Sequence, residues 1–524
     1  MPAALARFRR FIADEARTTG LPIGALIIAA VALHVAVTLM ARNPWHPDEH
    51  FQILEFAWAR AGLAPLSGLP WEFSQHIRPA LQPALAMALL DAMRALGLTS
   101  PYAWTLALRL GTLALSFAVL LRLFASVSPT LTPRGRRVLW LVGLFVWYAP
   151  LLMSRFTSEN LSGLALAAAL TFAVEQPRRR GELWLALMLG LSFVFRFQMA
   201  FAIVPILLWL GIYGSGGWAR VGRVAAGIAV VVVASTIVDA WFYGTWVFTP
   251  WEYFRVNIVE GVAAGYGASR WYAYFIWAPL WTAPPVGAAI IGLLLYALPT
   301  HRRSPWTWAI VGFLVAHFVV SHKELRFLFS LVYFVPVLVA LGWDVLERRV
   351  RMVGAWRFVV WGLVAQNVVL ALLLVTPSVH RGKEFDWQYF LYLWTAAEAR
   401  PGRTVFVLQP EGDPYRVWNW SANVYRHARV RGVAYVPGEA LPTAVPKGTP
   451  PAELLVVTRT AALPVIAGAT GFDLVYEDEP GYRVTARWVG AEQSVFIRYL
   501  ESVDNWTGSE WVRRVYRVRM AATP

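Results

Sequence analysis

The chain places the stretch Trp45-His46-Pro47-Asp48-Glu49-His50-Phe51-Gln52 directly after its first long apolar run, residues 21–40. Two carboxylates and two imidazoles fall within five residues, His46 to His50, at the end of a segment long enough to span a bilayer. Ionisable groups at a membrane boundary cost desolvation energy, and clusters of them are usually functional. The stretch therefore predicts a membrane protein with a reactive site beside the membrane.

The composition of the chain supports this assignment. Hydrophobic residues make up 58% and charged residues 15% of the 524 positions. The run at 21–40 has no small-residue cleavage site behind it, which favours a retained helix over a removed signal peptide. The net charge of +16 is typical of arginines in orienting loops rather than of a nucleic-acid surface. The chain has no cysteine, which excludes disulfides, thiolate nucleophiles and thiolate metal sites.

The basic residues define the predicted topology. Arginines before residue 18 place the N-terminus in the cytoplasm, so that the first helix, 21–42, emerges on the outer side. Residues 78–98 are predicted to lie along the outer surface as an amphipathic helix, because a crossing there would place the basic loops at 134–137 and 178–180 outside. With the first helix we expect eleven spans, the others at 102–126, 137–153, 158–175, 182–195, 199–214, 221–243, 275–298, 305–320, 327–346 and 356–376.

The last part of the chain differs in composition from the rest. Residues 1–376 form the predicted transmembrane domain, with the first outer loop and its surface helices at 43–101, and residues 377–524 contain no further long apolar run. Segments at 404–408, 453–458 and 474–476 resemble strands and alternate with helix-compatible stretches, which predicts a small extracytoplasmic α/β domain. Trp418, Trp420 and Tyr425 could stack on a sugar, although packing in the core of this domain is favoured.

The predicted outer loops carry an unusual set of polar residues. Short helices interrupted by polar groups are tolerated in a membrane only where they line a cavity, so we expect these loops to form one pocket at the outer face. The candidate residues are His46, Asp48, Glu49, His50, Gln52, Glu55, Arg78, Arg155, Asn160, Arg196, His322, Lys323, Glu324 and Arg326. A carboxylate base together with a cationic clamp suits group transfer from a phosphate-linked donor, and a lipid-linked donor would explain a site at the membrane.

Three of these segments resemble glycosyltransferase family 22, the GT-C-fold mannosyltransferases of N-glycan and GPI-anchor assembly, which have bacterial relatives. They are Trp45–Gln52 with Glu55, Arg155–Asn160 and His322–Phe327, and the similarity covers about residues 21–345. The resemblance implies a GT-C-type fold in a bacterial inner or plasma membrane. It also implies inverting transfer of mannose from a polyprenyl phosphate, without a nucleotide sugar. Separately, we expect no cofactor and no metal. The family's acidic base carries over to Asp48, with Glu49 as the alternative.

Each assignment has a structural alternative. Pro47, Asp48 and Glu49 also fit an ordinary helix start. His46 and His50 lie four residues apart and could bind a metal with Glu49, but the zinc-hydrolase spacing is absent, and contacts to sugar hydroxyls or orientation of the acids are favoured.

The basic residues and the intramembrane charges have alternatives too. Lys323 and Arg326 could snorkel at a helix end instead of binding phosphate. Arg155 and Arg196 could form structural ion pairs. Arg109 and Asp239, inside predicted spans, could pair with each other or serve the function.

The sequence thus predicts a hexosyltransferase in which Asp48 deprotonates an acceptor hydroxyl while basic side chains hold the donor phosphate. The expected partners are a lipid-linked sugar donor, a glycan or glycolipid acceptor and membrane lipids, with no nucleic acid. A transporter or flippase of lipid-linked sugar is the rival, although paired inverted halves are not evident in the sequence.

Overall fold

The structure is a computed structural model. It describes residues 2–44, 46–174, 178–282, 284–350, 354, 356–374, 385–417, 419–435, 453–458, 463–466, 469–477 and 513–520. The chain folds into two compact units. The first, here called the helical unit, comprises Met1–Leu39, Trp71–Leu89 and Leu106–Leu372, and the second, the mixed unit, comprises Met40–Pro70, Leu90–Thr105 and Leu373–Pro524. Two stretches of the predicted transmembrane domain, 40–70 and 90–105, thus belong to the unit that contains the tail.

Helices dominate the described part of the chain. The α-helices are Pro2–Thr19, Ile23–Met40, Pro47–Glu49, Glu55–Arg60, Trp71–Ser74, Leu81–Ala95, Pro101–Val127, Pro133–Phe145, Ala149–Leu152, Ser158–Ala173, Arg179–Phe195, Ala200–Ile212, Gly217–Tyr243, Thr249–Phe254, Val262–Gly265, Ala273–Trp281, Val286–Thr300, Pro305–Val319, Val335–Arg349, Trp356–Leu374 and Trp387–Glu398. Single 3₁₀ or π turns lie at His50–Leu54, Leu66–Gly68, Ser128–Thr130, Phe197–Met199, Arg255–Val259, Leu325–Leu331 and Asn423–Tyr425.

Among the described residues, three helices are long and apolar enough to cross a membrane by themselves: Ile23–Met40, Gly217–Tyr243 and the helix that begins at Pro101. The bent pair Leu325–Leu331 and Val335–Arg349 would make a fourth if it forms one span. Further apolar helices in the described part of the chain, such as Val286–Thr300 and Pro305–Val319, are shorter than a membrane-spanning helix normally is. These findings support an integral membrane protein, and the count of eleven spans stays a prediction.

Three predicted spans are interrupted in the structure. Residues 275–298 divide into two helices, Ala273–Trp281 and Val286–Thr300, and residues 137–153 divide at positions 146–148. The span expected at 327–346 starts as a 3₁₀ segment and turns by 74° before Val335. A proline stands within two residues of the start of each second helix, where its fixed φ favours a new helix and its missing N–H cannot extend the old one.

Two local features place the helix Ser158–Ala173. Thr157 caps its N-terminus by accepting a hydrogen bond at 3.2 Å from the Asn160 N–H, so the helix starts immediately before Glu159. Gly163 lies against the backbone of Ser330, where a Cβ atom on residue 163 would stand 2.3 Å from the Ser330 carbonyl oxygen. The helix and the segment Leu325–Leu331 therefore approach each other more closely than any residue with a side chain would allow.

The mixed unit contains the predicted α/β fold. Its five-stranded sheet has the order β4-β1-β5-β7-β6, with β1 at Val405–Gln409, β4 at Val430–Ala434, β5 at Glu453–Thr458, β6 at Ala469–Glu477 and β7 at Arg514–Met520. Strands β4, β1 and β5 are parallel, and β7 joins β5 and β6 antiparallel. A short hairpin of β2, Arg416–Val417, and β3, Trp420–Ser421, stands apart from the sheet. Strands β1 and β5 are buried along their whole length, as expected of central parallel strands.

Candidate functional site

The first-loop motif, residues 45–55, forms a short helical segment in the mixed unit. Pro47 starts the helix Pro47–Glu49, and His46 caps it, because its Nδ1 accepts a hydrogen bond at 3.3 Å from the Asp48 N–H. The helix continues as a π turn over His50–Leu54, a rare conformation that is frequent at functional sites. Trp45 lies outside the described residues.

The two acidic residues of the motif differ in exposure. The Asp48 side chain is 23% exposed and its Oδ1 lies 3.4 Å from His46 Nδ1, whereas Glu49 is buried. A nitrogen that accepts the Asp48 amide proton carries no proton of its own, so His46 Nδ1 cannot also donate to this carboxylate. Asp48 is therefore the acid of the pair that a substrate reaches more easily.

The remaining polar residues of the motif are buried within the mixed unit. His50 Nε2 lies 2.8 Å from Glu55 Oε1, and each residue is only 1% exposed. The same Glu55 oxygen accepts a hydrogen bond at 3.0 Å from the Val424 N–H. Gln52 is buried as well. His50 and Glu55, both predicted to contact substrate, are thus held by protein partners.

The helical unit contains a second group of charged residues, here called the arginine cluster and made of Glu159, Arg196 and Arg326. Arg196 Nη1 donates to Glu159 Oε1 at 2.6 Å, and Arg326 Nη1 lies 3.6 Å from the same oxygen. Arg196 follows directly on the helix Arg179–Phe195 and has an extended backbone. The break between two helices, predicted from Arg196-Phe197-Gln198, is what brings this guanidinium to Glu159.

Arg196 retains unused hydrogen-bonding capacity. Its side chain is 6% exposed, yet Nε and Nη2 are buried without a hydrogen-bond partner among the described residues. The guanidinium also lies over the Phe327 ring, 5.1 Å from its centroid. A buried guanidinium with two unused donors costs free energy, and an anionic ligand with oxygen acceptors would satisfy it.

The basic loop, His322–Arg326, lies in the same unit. Glu324 accepts hydrogen bonds from Arg326 Nη2 at 3.2 Å and pairs with His322 Nε2 at 2.9 Å. The Lys323 ammonium donates to the backbone carbonyls of Val320 and, at 3.5 Å, Ser269. Burial lowers the pKa of Lys323 from its ordinary value. Of the two cations predicted to bind phosphate, Arg326 belongs to the arginine cluster and Lys323 is bonded to the backbone.

The remaining candidates of the helical unit have defined partners. Asn160 donates to the Arg155 carbonyl at 2.8 Å, which fixes the turn before its helix, and Arg155 is buried. Arg78 Nη2 stands 3.9 Å from Glu72 Oε1.

The two intramembrane charges do not form the direct pair considered above. Arg109 donates to Ser154 Oγ at 3.4 Å. Asp239 accepts from the Ala80 N–H and from Thr249 Oγ1, each at 2.7 Å.

Glu159 and Tyr333 were not among the predicted site residues. Glu159 bridges the two arginines, and the Tyr333 hydroxyl donates to Asn160 Oδ1 at 2.7 Å. Glu159 stands inside the polar segment 154–160, so a search for carboxylates able to pair with Arg196 could have identified it. Tyr333 carries no sequence signal, because it lies in an apolar stretch.

Two further alternatives bear on sugar and metal binding. Tyr425 is buried and stacks on His50 with ring centroids 5.5 Å apart, which assigns it to the core, and Trp418 lies outside the described residues. Within the described ranges, no three His, Asp or Glu side chains are grouped as metal ligands. A site without metal or cofactor stays a prediction.

Comparison with known proteins connects these residues to a family. Residues 25–383 match the model of the Alg9-like mannosyltransferase family. GPI mannosyltransferase 3 of Yarrowia lipolytica is 24% identical over 373 residues, covering 66% of each chain. GPI alpha-1,2-mannosyltransferase 3 of Bos taurus is 21% identical over 371 residues, covering 69% of this chain and 65% of the relative. The chain thus spans just under two thirds of the length of these relatives.

Similar solved structures include ArnT from Cupriavidus metallidurans in the apo state, with 11% identity, a TM-score of 0.49 and coverage of 94% of this chain and 97% of that one. An Archaeoglobus fulgidus oligosaccharyltransferase, tethered with an acceptor peptide, has a TM-score of 0.45 at 13% identity and covers 76% of this chain and 63% of that one. The family model covers more than half of the sequence and includes all three motifs, which confirms the resemblance drawn from them. The chain belongs to the Alg9-like mannosyltransferase family.

Proposed function

We propose that this protein is an inverting mannosyltransferase. It moves mannose from a polyprenyl-phosphate donor to a glycan or glycolipid acceptor at the extracytoplasmic face of the membrane. Family membership and the names of the relatives support mannose as the sugar. The observation that carries the donor class is Arg196, whose buried guanidinium keeps two donors without a partner in the described part of the chain. A phosphate diester presents two anionic oxygens that suit these donors.

In the proposed reaction we assign the base and the phosphate-binding role separately, each to candidate residues of one unit. Asp48 takes the proton of the acceptor hydroxyl as its oxygen attacks the anomeric carbon of the donor. The bond from that carbon to the phosphate oxygen breaks, and its electron pair leaves with the polyprenyl phosphate, whose added negative charge is stabilised by Arg196 and Arg326. Attack opposite the leaving group inverts the configuration.

The arginine cluster is suited to a charge that increases during the reaction. Glu159 offsets part of the charge of Arg196 and Arg326 in the absence of ligand, so the two guanidinium groups are held in place before the donor binds. A preorganised cationic site of this kind lowers the barrier because it needs no rearrangement as the phosphate leaves.

The experiment is a transfer assay with the purified protein in lipid nanodiscs. The protein is incubated with polyprenyl-phosphate-mannose and a membrane lipid extract, and mass spectrometry identifies acceptors that have gained one hexose. A parallel reaction with GDP-mannose should yield no product, and a reaction with Asp48→Asn protein serves as the enzyme control. No hexose transfer from any lipid-phosphate sugar, combined with transbilayer movement of the donor in proteoliposomes, would contradict the proposal and identify a flippase.

A further inference from the structure

The helix that carries Asp48 is attached to the C-terminal region at two points within the mixed unit. Before the helix, Asn43 Oδ1 accepts a hydrogen bond at 2.9 Å from the Trp387 N–H, and Arg42 lies over the Trp387 ring at 4.5 Å. After the helix, Glu55 Oε1 accepts from the Val424 N–H at 3.0 Å. Residues 42–55 are therefore fixed at both ends by residues far along the chain.

The second attachment, at Glu55, involves more side-chain contacts than the first. His50 Nε2 lies 2.8 Å from the Glu55 oxygen that receives the Val424 amide. Phe385 packs edge-on against the His50 imidazole at 4.8 Å between centroids, and Tyr425 stacks on it. The other Glu55 oxygen is buried and has no partner among the described residues. Burying a carboxylate in this way costs desolvation free energy, which its hydrogen bonds only partly offset.

We infer that Glu55, His50 and the Val424 amide form a clasp through which the C-terminal domain positions Asp48, so that this domain is a working part of the transferase rather than an appended module. The inference rests on the proposed role of Asp48 as the base. Glu55 and His50 are then positioning residues rather than contacts of the sugar.

The geometry explains why a clasp is needed at this place. The segment between Asp48 and Glu55 contains the π turn His50–Leu54, and no side chain caps this turn. A bond from Glu55 to a backbone amide of another segment fixes the end of that turn, and thereby the direction of the carboxylate one and a half turns earlier.

The test compares three variants. Glu55→Ala removes both bonds of the clasp, Glu55→Gln keeps an oxygen that can accept the Val424 N–H, and Glu477→Ala removes a carboxylate from an exposed ion pair with Arg514 in the same unit as a control. We expect kcat to fall about 10- to 100-fold in Glu55→Ala with KM for donor and acceptor unchanged, because a misplaced base slows chemistry without weakening binding. Glu55→Gln should recover most of the rate, and Glu477→Ala should retain all of it.

A second measurement does not depend on activity. Hydrogen exchange of the peptide containing the Val424 amide should accelerate about tenfold in Glu55→Ala and remain near the wild-type rate in Glu55→Gln, because only the former loses the acceptor. Unchanged exchange in Glu55→Ala overturns the clasp, even if the protein proves to have no transferase activity. A raised acceptor KM with unchanged kcat overturns the positioning role and assigns Glu55 to substrate binding. If Glu55→Ala fails to fold, Glu55→Asp takes its place: its side chain is one methylene shorter and withdraws the acceptor from the Val424 N–H, so the same loss of kcat and the same faster exchange are expected, and wild-type values in both overturn the clasp.

Discussion

The first-loop motif and the arginine cluster are both dense in charge, yet they differ in how their charges are satisfied. In the motif, His50 and Glu55 are almost completely buried and bonded to each other and to the Val424 amide. In the cluster, Arg196 is also buried, but two of its nitrogens lack a hydrogen-bond partner among the described residues. The difference is that the motif satisfies its buried charges within the protein, whereas Arg196 keeps hydrogen-bond donors that a ligand could use. Residues of one motif need not share one role.

The largest expected effect tests the choice between the two acids of the motif. Replacing Asp48 by Asn should lower kcat between about 10²- and 10⁴-fold, the usual contribution of a general base, and leave donor binding intact. Glu49→Gln is the matched control and should retain most of the activity, since Glu49 is buried. Radiolabelled mannose transfer and donor binding are measured on both. The opposite ranking of the two variants would make Glu49 the base.

The next effect tests whether the unused donors of Arg196 bind the donor phosphate. Arg196→Lys keeps a cation near Glu159 but loses the planar fork, so we expect KM for the donor to rise about 10- to 100-fold. Arg223→Lys is the control, because Arg223 also pairs with a glutamate, through two hydrogen bonds to Glu182 on an exposed surface. Equal donor KM values for the two variants would show that Arg196 serves structure alone.

Replacing Lys323 should lower the stability of the protein without weakening donor binding. Its ammonium donates to the Val320 and Ser269 carbonyls, so Lys323→Gln should lower the free energy of unfolding by about 1–3 kcal/mol while the donor KM changes less than twofold, roughly. Thermal unfolding in detergent and donor titration are the measurements, and Arg302→Gln, at an exposed position, is the control. A tenfold rise in donor KM without loss of stability would show that Lys323 binds the donor phosphate.

The smallest effect concerns the helix start at His46. Because His46 Nδ1 caps the helix through the Asp48 N–H, His46→Asn should preserve stability and His46→Ala should cost about 1 kcal/mol. Comparing the thermal unfolding of the two proteins tests the cap. Equal stability, together with a raised acceptor KM in both, would instead indicate a contact with the sugar.

The general architecture could be predicted from the sequence, because the signals from hydrophobicity and from the distribution of arginines extend over many residues. The α/β tail and strands β1 and β5 were predicted within a residue, since buried parallel strands are continuous apolar runs. Strand β7, Arg514–Met520, was not predicted, because alternating arginines and apolar residues at a partly exposed strand resemble a polar loop. The helix breaks near Pro285 and Pro336 were missed because hydrophobicity averaged over a window does not register single prolines.

Prediction of the site was limited for a different reason. Arg196 and Arg326 were identified from their position at breaks between apolar runs, but Glu159 was not, because its importance arises only when residues 159, 196 and 326 meet in three dimensions. His50 and Glu55 are predicted to contact substrate, with orientation of the acids as the alternative for His50, and the sequence does not show their bond to a segment that lies 369 positions beyond Glu55. A local pattern cannot indicate a partner so remote.

The contact at Gly163 gives the arginine cluster an unexpected dependence. Glu159 lies on the helix and Arg326 on the segment that meet there, so the distance between their backbones depends on the absence of a side chain at residue 163. One added methyl group at that position would push the two elements apart. The packing at residue 163 therefore influences how strongly the charges of the cluster interact.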